Sequence, residues 1–531
     1  MGRRSVCWVF CVALCSLASG GIAADTSTDL AQHLVDVSGL PRGLCVVAPC
    51  GDGSLAVELA RTGRFLVHAL DPSAEHVAET AQAADAADLD IREIIVEVSG
   101  PGDLPHASDV VDLMLVVNAP QDTLSAEAVR EMLRVTRPRG KVIVGCTAAH
   151  RETPSARALR RLLGGAGVGE VKVVKDEYGV WGVITTPIPE GEDAWSHWEH
   201  GPDNNPVSTD AVIRAPYMTQ WLGTPYYVAM PAITTAAGGR IFTAMGHIAH
   251  HEREEPWLNT ILARNGYNGM PLWQRKLPDG YLVHRSAFVA TDDAFYMIAA
   301  EGDACAVLDP DTGEEKNRIR IPETPGQWKW MALDNGVLYV LIGEKPDPAE
   351  TTVVRSEYTH WSWQELSKGY YEARVPWGLG STITAYDLAE GKCQWLHREA
   401  TAVDSRAMAV GGGKVFFYCP DARVGCLDQR TGDLVWSNED AEMRALIDQP
   451  GRGLSSTPGF RSACFCVYSP EVLFYEAQTC MNIVALSTDD GRMLWHRRKT
   501  SSNPNVMFVD GHAVVGIGPD GNTLVLDPDR K

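Results

Sequence analysis

The stretch Leu44-Cys45-Val46-Val47-Ala48, followed by Pro49-Cys50-Gly51-Asp52-Gly53, decides how the first third of the chain folds. A short apolar run ends in a glycine turn, after which Leu55, Leu59 and Ala60 continue at helical spacing. Strand, glycine turn and helix bring a ligand against backbone N–H groups at a helix N-terminus. The next apolar run, Phe65 to Leu70, ends in Asp71. An acid at the end of a second strand, about 20 residues after the glycine turn, is placed to accept hydrogen bonds from ribose hydroxyls. Outward from this core, strands are predicted at Ile94-Ile95-Val96, from Asp112 to Val117, and from Lys141 to Val144. Val171 to Val174 and Val180 to Thr186, joined by Asp176-Glu177-Tyr178-Gly179, read as a closing hairpin. Residues 25–190 are therefore expected to form a doubly wound α/β sheet with its ligand crevice beyond the strand C-termini.

Four motifs in this order are similar to the class I S-adenosylmethionine-dependent methyltransferases of the small-molecule type. They are Cys50-Gly51-Asp52-Gly53, Asp71-Pro72-Ser73, Leu104-Pro105 ahead of Val111-Asp112-Leu113, and the run from Glu131 to Lys141. The resemblance implies S-adenosylmethionine as cofactor. Gly51 and Gly53 would approach its methionine part with Asp52 in the same turn, Asp71 would hold the ribose, and Asn118 would sit beside the methyl donor. Three positions depart from the pattern: Val47 replaces an acid, Pro49 replaces the first glycine, and Ser99 stands where an acid would meet the adenine. Each lost hydrogen bond is worth about 0.5–1.5 kcal/mol, so cofactor affinity is expected to be reduced. No catalytic residue is assigned. Two readings stay open, an active methyltransferase and a methyltransferase-like fold retained for binding or structure.

Residues 191–531 repeat a different pattern: an apolar residue, Asp, a Gly a few positions on, then Trp. It occurs as Tyr386-Asp387 with Gly391 and Trp395, and as Leu427-Asp428 with Gly432 and Trp436. Leu486 with Gly491 and Trp495 is a weaker copy, and Leu308-Asp309 with Gly313 has Asn317 in place of Trp. Gly269 with Trp273 keeps the second half and Leu526-Asp527 the first. The anchor positions imply a base period of about 40 residues with two enlarged repeats. Strand, Asp/Gly turn and strand, each preceded by another hairpin, make a four-stranded propeller blade. Six blades are predicted, with Gln220-Trp221-Leu222 supplying the last strand of the sixth and so closing the ring. This half resembles the quinoprotein-like propellers with pyrroloquinoline quinone (PQQ) type repeats. The dehydrogenases of that group place adjacent cysteines beside the quinone, and this chain has no Cys-Cys pair, so PQQ is not expected.

Two insertions, residues 245–262 and 344–382, connect second to third strands and should share one face of the ring with the segment holding His284 and Arg285. The expected ligand face comprises His251, His284, Arg285, Trp361, Trp363 and Tyr370. It suits a protein or polysaccharide partner. His247, His250 and Glu254 fit one face of a helix and form a weak candidate metal set. A solvated polar loop is the preferred reading. Trp195-Ser196-His197-Trp198-Glu199-His200 is denser still and is expected to pack where the two domains meet.

The 531 residues carry a net charge of −21, which argues against a nucleic-acid binder working through counterion release. Arg3 and Arg4, the apolar stretch from Val6 to Ser19 and the small residues around Gly21 to Ala24 read as a secretory signal in residues 1–24. The alternative is an uncleaved N-terminal anchor. A periplasmic or extracellular location follows, with no transmembrane segment after the signal. The remaining cysteines are too dispersed for a disulfide framework, and Cys464-Phe465-Cys466 reads as strand alternation. The third functional reading is a quinone- or metal-dependent oxidoreductase.

Overall fold

The structure is a computed structural model. It describes residues 22–120, 123–150, 155–165, 170–249, 252–278, 281, 283–345, 378–420, 422–448, 465–476, 482–498, 506–516 and 523–527. The chain divides into two units, Met1–Pro187 and Ile188–Lys531.

Unit one begins with helix α1, Ile22–Ser38, followed by strand β1, Gly43–Val47, helix α2, Ser54–Arg61, strand β2, Phe65–Asp71, and helix α3, Ala74–Ala86. Strands β3, Ile94–Val98, and β4, Val111–Val117, lead into helix α4, Ala126–Val135, and the long strand β5, Thr136–Thr147. Helix α5, Ala156–Gly164, and strands β6, Val171–Lys175, and β7, Gly179–Thr185, complete it. The strands pair in the order β3-β2-β1-β4-β5-β7-β6. The first five are parallel, and β7 is antiparallel to both β5 and β6, as the hairpin reading requires. All seven residues of β4 are buried, as expected of a central strand covered on both faces. Leu34, Leu59, Val67, Leu113 and Trp181 share one core, while Val46, Met114, Met132, Leu159 and Leu163 share the other. Ser73, Ser125 and Ser155 cap α3, α4 and α5 by accepting backbone N–H bonds. The expected signal lies largely outside the described residues. Helix α1 was not anticipated: Ala31, Leu34 and Val35 bury its inner face. Among the described residues no helix is long and apolar enough to cross a membrane.

Unit two contains six antiparallel sheets, five of four strands and a last one of three among the described residues. The blades follow the predicted repeat. Tryptophans of successive blades lie on the turn glycine of the next: a Cβ added at Gly313 would fall 2.6 Å from Trp273, at Gly432 2.5 Å from Trp395, and at Gly491 2.4 Å from Trp436. Each indole N–H donates to the carbonyl three residues before that glycine, at Pro310, Gln429 and Thr488. Only glycine allows both the left-handed turn and this close approach. Gln220-Trp221-Leu222 is not a hydrogen-bonded strand, contrary to expectation. Trp221 nevertheless takes the repeat position, donating to Gly266 and lying on Gly269.

The first strand of every blade is an edge of its sheet: Met230–Ala237, Phe288–Ala290, Gln327–Asp334, Ala409–Gly411, Phe465–Tyr468 and Val506–Val509. Residues 195–205 satisfy these six edges in chain order. Trp195 exchanges two 2.8 Å bonds with Ala236, Ala290 N–H donates to Ser196 O, and Leu333 N–H donates to His197 Nε2. Val410 N–H donates to Pro202 O and Tyr468 N–H to Asp203 O. Asn204 Nδ2 donates to Met408 O and Cys466 O, and Asn205 exchanges two bonds with Phe508. One segment thus runs along the axis and hydrogen-bonds to all six blades. The Trp195–His200 cluster thus forms part of the propeller: unpaired inner edges need partners, and this segment provides them.

Candidate functional site

In unit one the turn between β1 and α2 needs its glycines. Gly51 has φ +58° and Gly53 φ +79°. A Cβ at Gly53 would fall 2.7 Å from Thr80, whereas nothing lies within 4 Å of one at Gly51, so the backbone there is open to an approaching group. Asp71, at the C-terminal end of β2, is 2% exposed. Its Oδ2 accepts from Gly51 N–H at 3.0 Å, and its Oδ1 accepts from Ser73 N–H at 2.9 Å and pairs with His76 Nδ1 at 3.1 Å. Ser99 N–H donates to Asp71 O, and Ser99 Oγ donates to Asp103 O. Gly51, Asp71 and Ser99 are therefore joined by direct hydrogen bonds. Asp52 Oδ1 instead accepts from the Ser54 N–H and hydroxyl, which ties it to the start of α2. Asn118, at φ +55°, follows β4 and accepts from Thr147 N–H through Oδ1 at 2.9 Å. Burial pushes the Cys50 thiol up, and its sulfur lies 3.2 Å from Thr80 Oγ1.

These residues fit an S-adenosyl cofactor at the glycine turn and at the ribose acid. A carboxylate has about four lone-pair positions, and three donors already engage Asp71. His76, half exposed, is the one that was not singled out in the sequence. Val47 is buried at the end of β1 and offers no acceptor. Elsewhere in this unit His68 Nδ1 and His106 Nε2 lie 2.9 Å apart, with Glu97 on the far side of His68. Burial pushes His106 down to about 4 and His68 down as well, so both are neutral at pH 7.

In unit two, residues 245–262 and 344–382 do connect the second and third strands of their blades. His250, His251, Trp361, Trp363 and Tyr370 lie outside the described residues. His247 belongs to the strand Arg240–Ile248, and Glu254 lies buried in a 3-10 turn, Glu252–Trp257. The continuous helical face on which the candidate metal set depended is not formed, because the strand runs on through His247. Among the described residues no group of three His, Cys, Asp or Glu is placed to hold a metal ion. The eight described cysteines are free, and Cys466 sits in a buried strand. His284 and Arg285 precede the inner strand of blade two. Arg285 lies 5.0 Å from the centroid of the Trp198 ring and 5.4 Å from that of Phe465, beside the axial segment.

Residues 47–140 match a methyltransferase domain family, and residues 379–530 match the family described as outer membrane protein assembly factor BamB. No curated protein matches the chain. A putative S-adenosyl-L-methionine-dependent methyltransferase of Methanococcus maripaludis is similar at 20% identity, covering 32% of this chain and 90% of that one with a TM-score of 0.30. BamB from Moraxella catarrhalis is similar at 12% identity, covering 58% of this chain and 75% of that one with a TM-score of 0.36. A SAM-dependent methyltransferase from Aquifex aeolicus is 18% identical over 30% of this chain and 98% of that one, with a TM-score of 0.25. The chain joins a methyltransferase-like sheet to a BamB-like propeller region.

Proposed function

We propose that unit one is an S-adenosylmethionine-dependent methyltransferase domain and that the propeller is its binding module in an exported protein. The observation that carries this reading is the hydrogen-bonded pair of Gly51 and Asp71. It places an open left-handed glycine and a buried carboxylate side by side at the C-terminal ends of β1 and β2. The match of residues 47–140 to a methyltransferase domain supports the same reading. When bound, the cofactor supplies an electrophilic methyl group. Gly51 would leave room for its amino-acid part, Gly53 would let the turn pack closely on Thr80, Asp71 would accept from the ribose, Ser99 would border the adenine, and Asn118 would close the crevice beside the reacting methyl. Holding a substrate nucleophile in line with that methyl accounts for most of the rate enhancement such a site provides.

A second reading is favoured by the same carboxylate. Three internal donors on Asp71, with Val47 in place of an acid, suit a fold kept for binding or scaffolding. Calorimetric titration of the full chain with S-adenosylmethionine and S-adenosylhomocysteine separates the two. Binding that Asp71→Ala abolishes supports the enzyme. No heat at millimolar cofactor leaves the scaffold. The apolar stretch from Val6 to Ser19 supports export, and N-terminal sequencing of the protein from the cell envelope tests it.

A further inference from the structure

Seven of the fifteen exposed large apolar side chains among the described residues fall within residues 212–227 of unit two. Six of them, Ile213, Tyr217, Met218, Leu222, Tyr226 and Tyr227, are 54–88% exposed. Every residue from Ala211 to Gln220 is exposed. The stretch is anchored all the same. Trp221 donates to Gly266 O and lies on Gly269, and Arg253 lies 3.6 Å from the centroid of the Tyr227 ring. Its neighbours are thus presented from fixed points rather than from a free chain, which lowers the entropy lost on docking. At such exposures six side chains of this size offer roughly 800 Å² of surface, above the largest patch of a typical monomer, about 300–600 Å², and equal to about what each partner gives a standard interface. Charge narrows the choice of occupant. The chain carries −21, yet the only charged residues in 206–239 are Asp210 and Arg214. A lipid surface is disfavoured, because an acidic protein needs a basic cluster to approach anionic head groups and this stretch has a single arginine. A strongly charged partner would find nothing here to pair with.

We propose that residues 212–227 form a self-association surface, and that its occupant is the same surface of a second copy of this chain. An uncharged strip is complementary to itself, as a two-fold contact requires. Tyr217, Tyr226 and Tyr227 supply hydroxyls that both donate and accept, so two identical strips can satisfy each other's polar atoms while burying Met218 and Leu222. Tyrosine and methionine are also the residue types enriched where proteins meet. The strip is the place where two acidic copies can touch without bringing carboxylates together. The inference rests on unit two alone and is independent of whether unit one binds S-adenosylmethionine.

Sedimentation velocity of the full chain without detergent tests it. A monomer–dimer equilibrium is expected in the micromolar range, where interfaces of this size begin to hold. Added salt screens the repulsion between the two acidic bodies and should leave the dimer as strong or stronger. The double variant Tyr217→Asp with Leu222→Asp places carboxylates at two exposed positions, so it should melt as the wild type does and dimerise at least tenfold more weakly. A wild-type chain that stays monomeric to about 100 µM overturns the proposal. If that monomer floats with phosphatidylglycerol-containing vesicles, the strip belongs to a lipid surface instead. A dimer that the double variant leaves intact, or that salt dissociates, also overturns it, since the contact then lies elsewhere, as in the apolar stretch from Val6 to Ser19.

Discussion

Trp221 stands to Gly269 as the blade tryptophans stand to the turn glycines that follow them, although the two residues lie on opposite sides of the whole first hairpin of blade one. Its Nε1 donates to Gly266 O at 2.9 Å, and a Cβ at Gly269 would fall 2.3 Å from its ring. The tryptophan that lies on the turn glycine of blade one is thus delivered by the segment that precedes that blade. Trp221→Ala is expected to cost about 2–4 kcal/mol, below or within the usual range for a buried tryptophan because this one is half-buried. Gly269→Ala, at φ +74°, should cost about 1–3 kcal/mol from backbone strain alone. The two losses should add to less than their sum in urea unfolding, since both break one contact. Additive losses would show that the indole and the glycine act separately.

Acid should loosen the axial segment through His197. Leu333 N–H donates to its Nε2, which leaves the proton on Nδ1 facing Ser196 Oγ at 2.7 Å. Burial pushes this imidazole down to about 3. A depressed histidine contributes stability that is complete above its unfolded value near 6.5 and is lost as pH falls toward the folded value. His284 acts in the same direction. Glu199, raised to about 7, acts in the opposite one: its contribution is complete below about 4.5 and lost as pH rises through 7. The histidines therefore dominate below about 4.5, where the glutamate no longer changes. His197→Gln keeps an acceptor for Leu333 without titrating and should flatten this acid limb in thermal melts. An unchanged limb would assign the acid sensitivity elsewhere.

The α/β order of unit one was legible because its signals are local: apolar runs of strand length, glycine turns and helical spacing all lie within a few residues of each other. The six blades were legible because a repeat displays the same local unit several times. The axial segment was not, for a physical reason. Its partners, Ala236, Ala290, Leu333, Val410, Tyr468 and Phe508, are backbone groups up to 303 residues away from it in sequence. A backbone edge leaves no mark on residue type. Its tryptophans and histidines therefore suggested packing between domains, while the six edges that the segment satisfies stayed invisible. His76 escaped notice similarly, since its role depends on the turn that brings it back to Asp71.

The buried pair of Arg137 and Asp112 should be a stability determinant of unit one without being part of its crevice. Asp112 is fully buried near the start of β4, accepts from Arg137 Nε at 2.5 Å, and also accepts Leu44 N–H at 2.8 Å. The candidate cofactor residue Asn118 follows the other end of that strand. Asp112→Ala strands a buried guanidinium and should cost about 3–5 kcal/mol. If unit one binds S-adenosylhomocysteine, the folded fraction should bind it as the wild type does, measured by calorimetry below the melting transition. Lost affinity in the folded variant would mean that the two ends of β4 are coupled.

His76 occupies a position on Asp71 Oδ1 that a ribose hydroxyl would otherwise use. Its Nδ1 lies 3.1 Å from Asp71 Oδ1, which also accepts Ser73 N–H, so that oxygen has no acceptor position to spare while the imidazole is in place. His76 is half exposed, and moving it costs little burial. If unit one binds S-adenosylmethionine through Asp71, His76→Ala should tighten binding. Removing a competing hydrogen bond of about 0.5–1.5 kcal/mol predicts a gain of roughly two- to twelvefold in affinity. Asp71→Ala should lose binding in either background. Weaker binding by His76→Ala would mean that the imidazole itself contacts the cofactor, and Asp71 would then be better read as a structural anchor of the glycine turn.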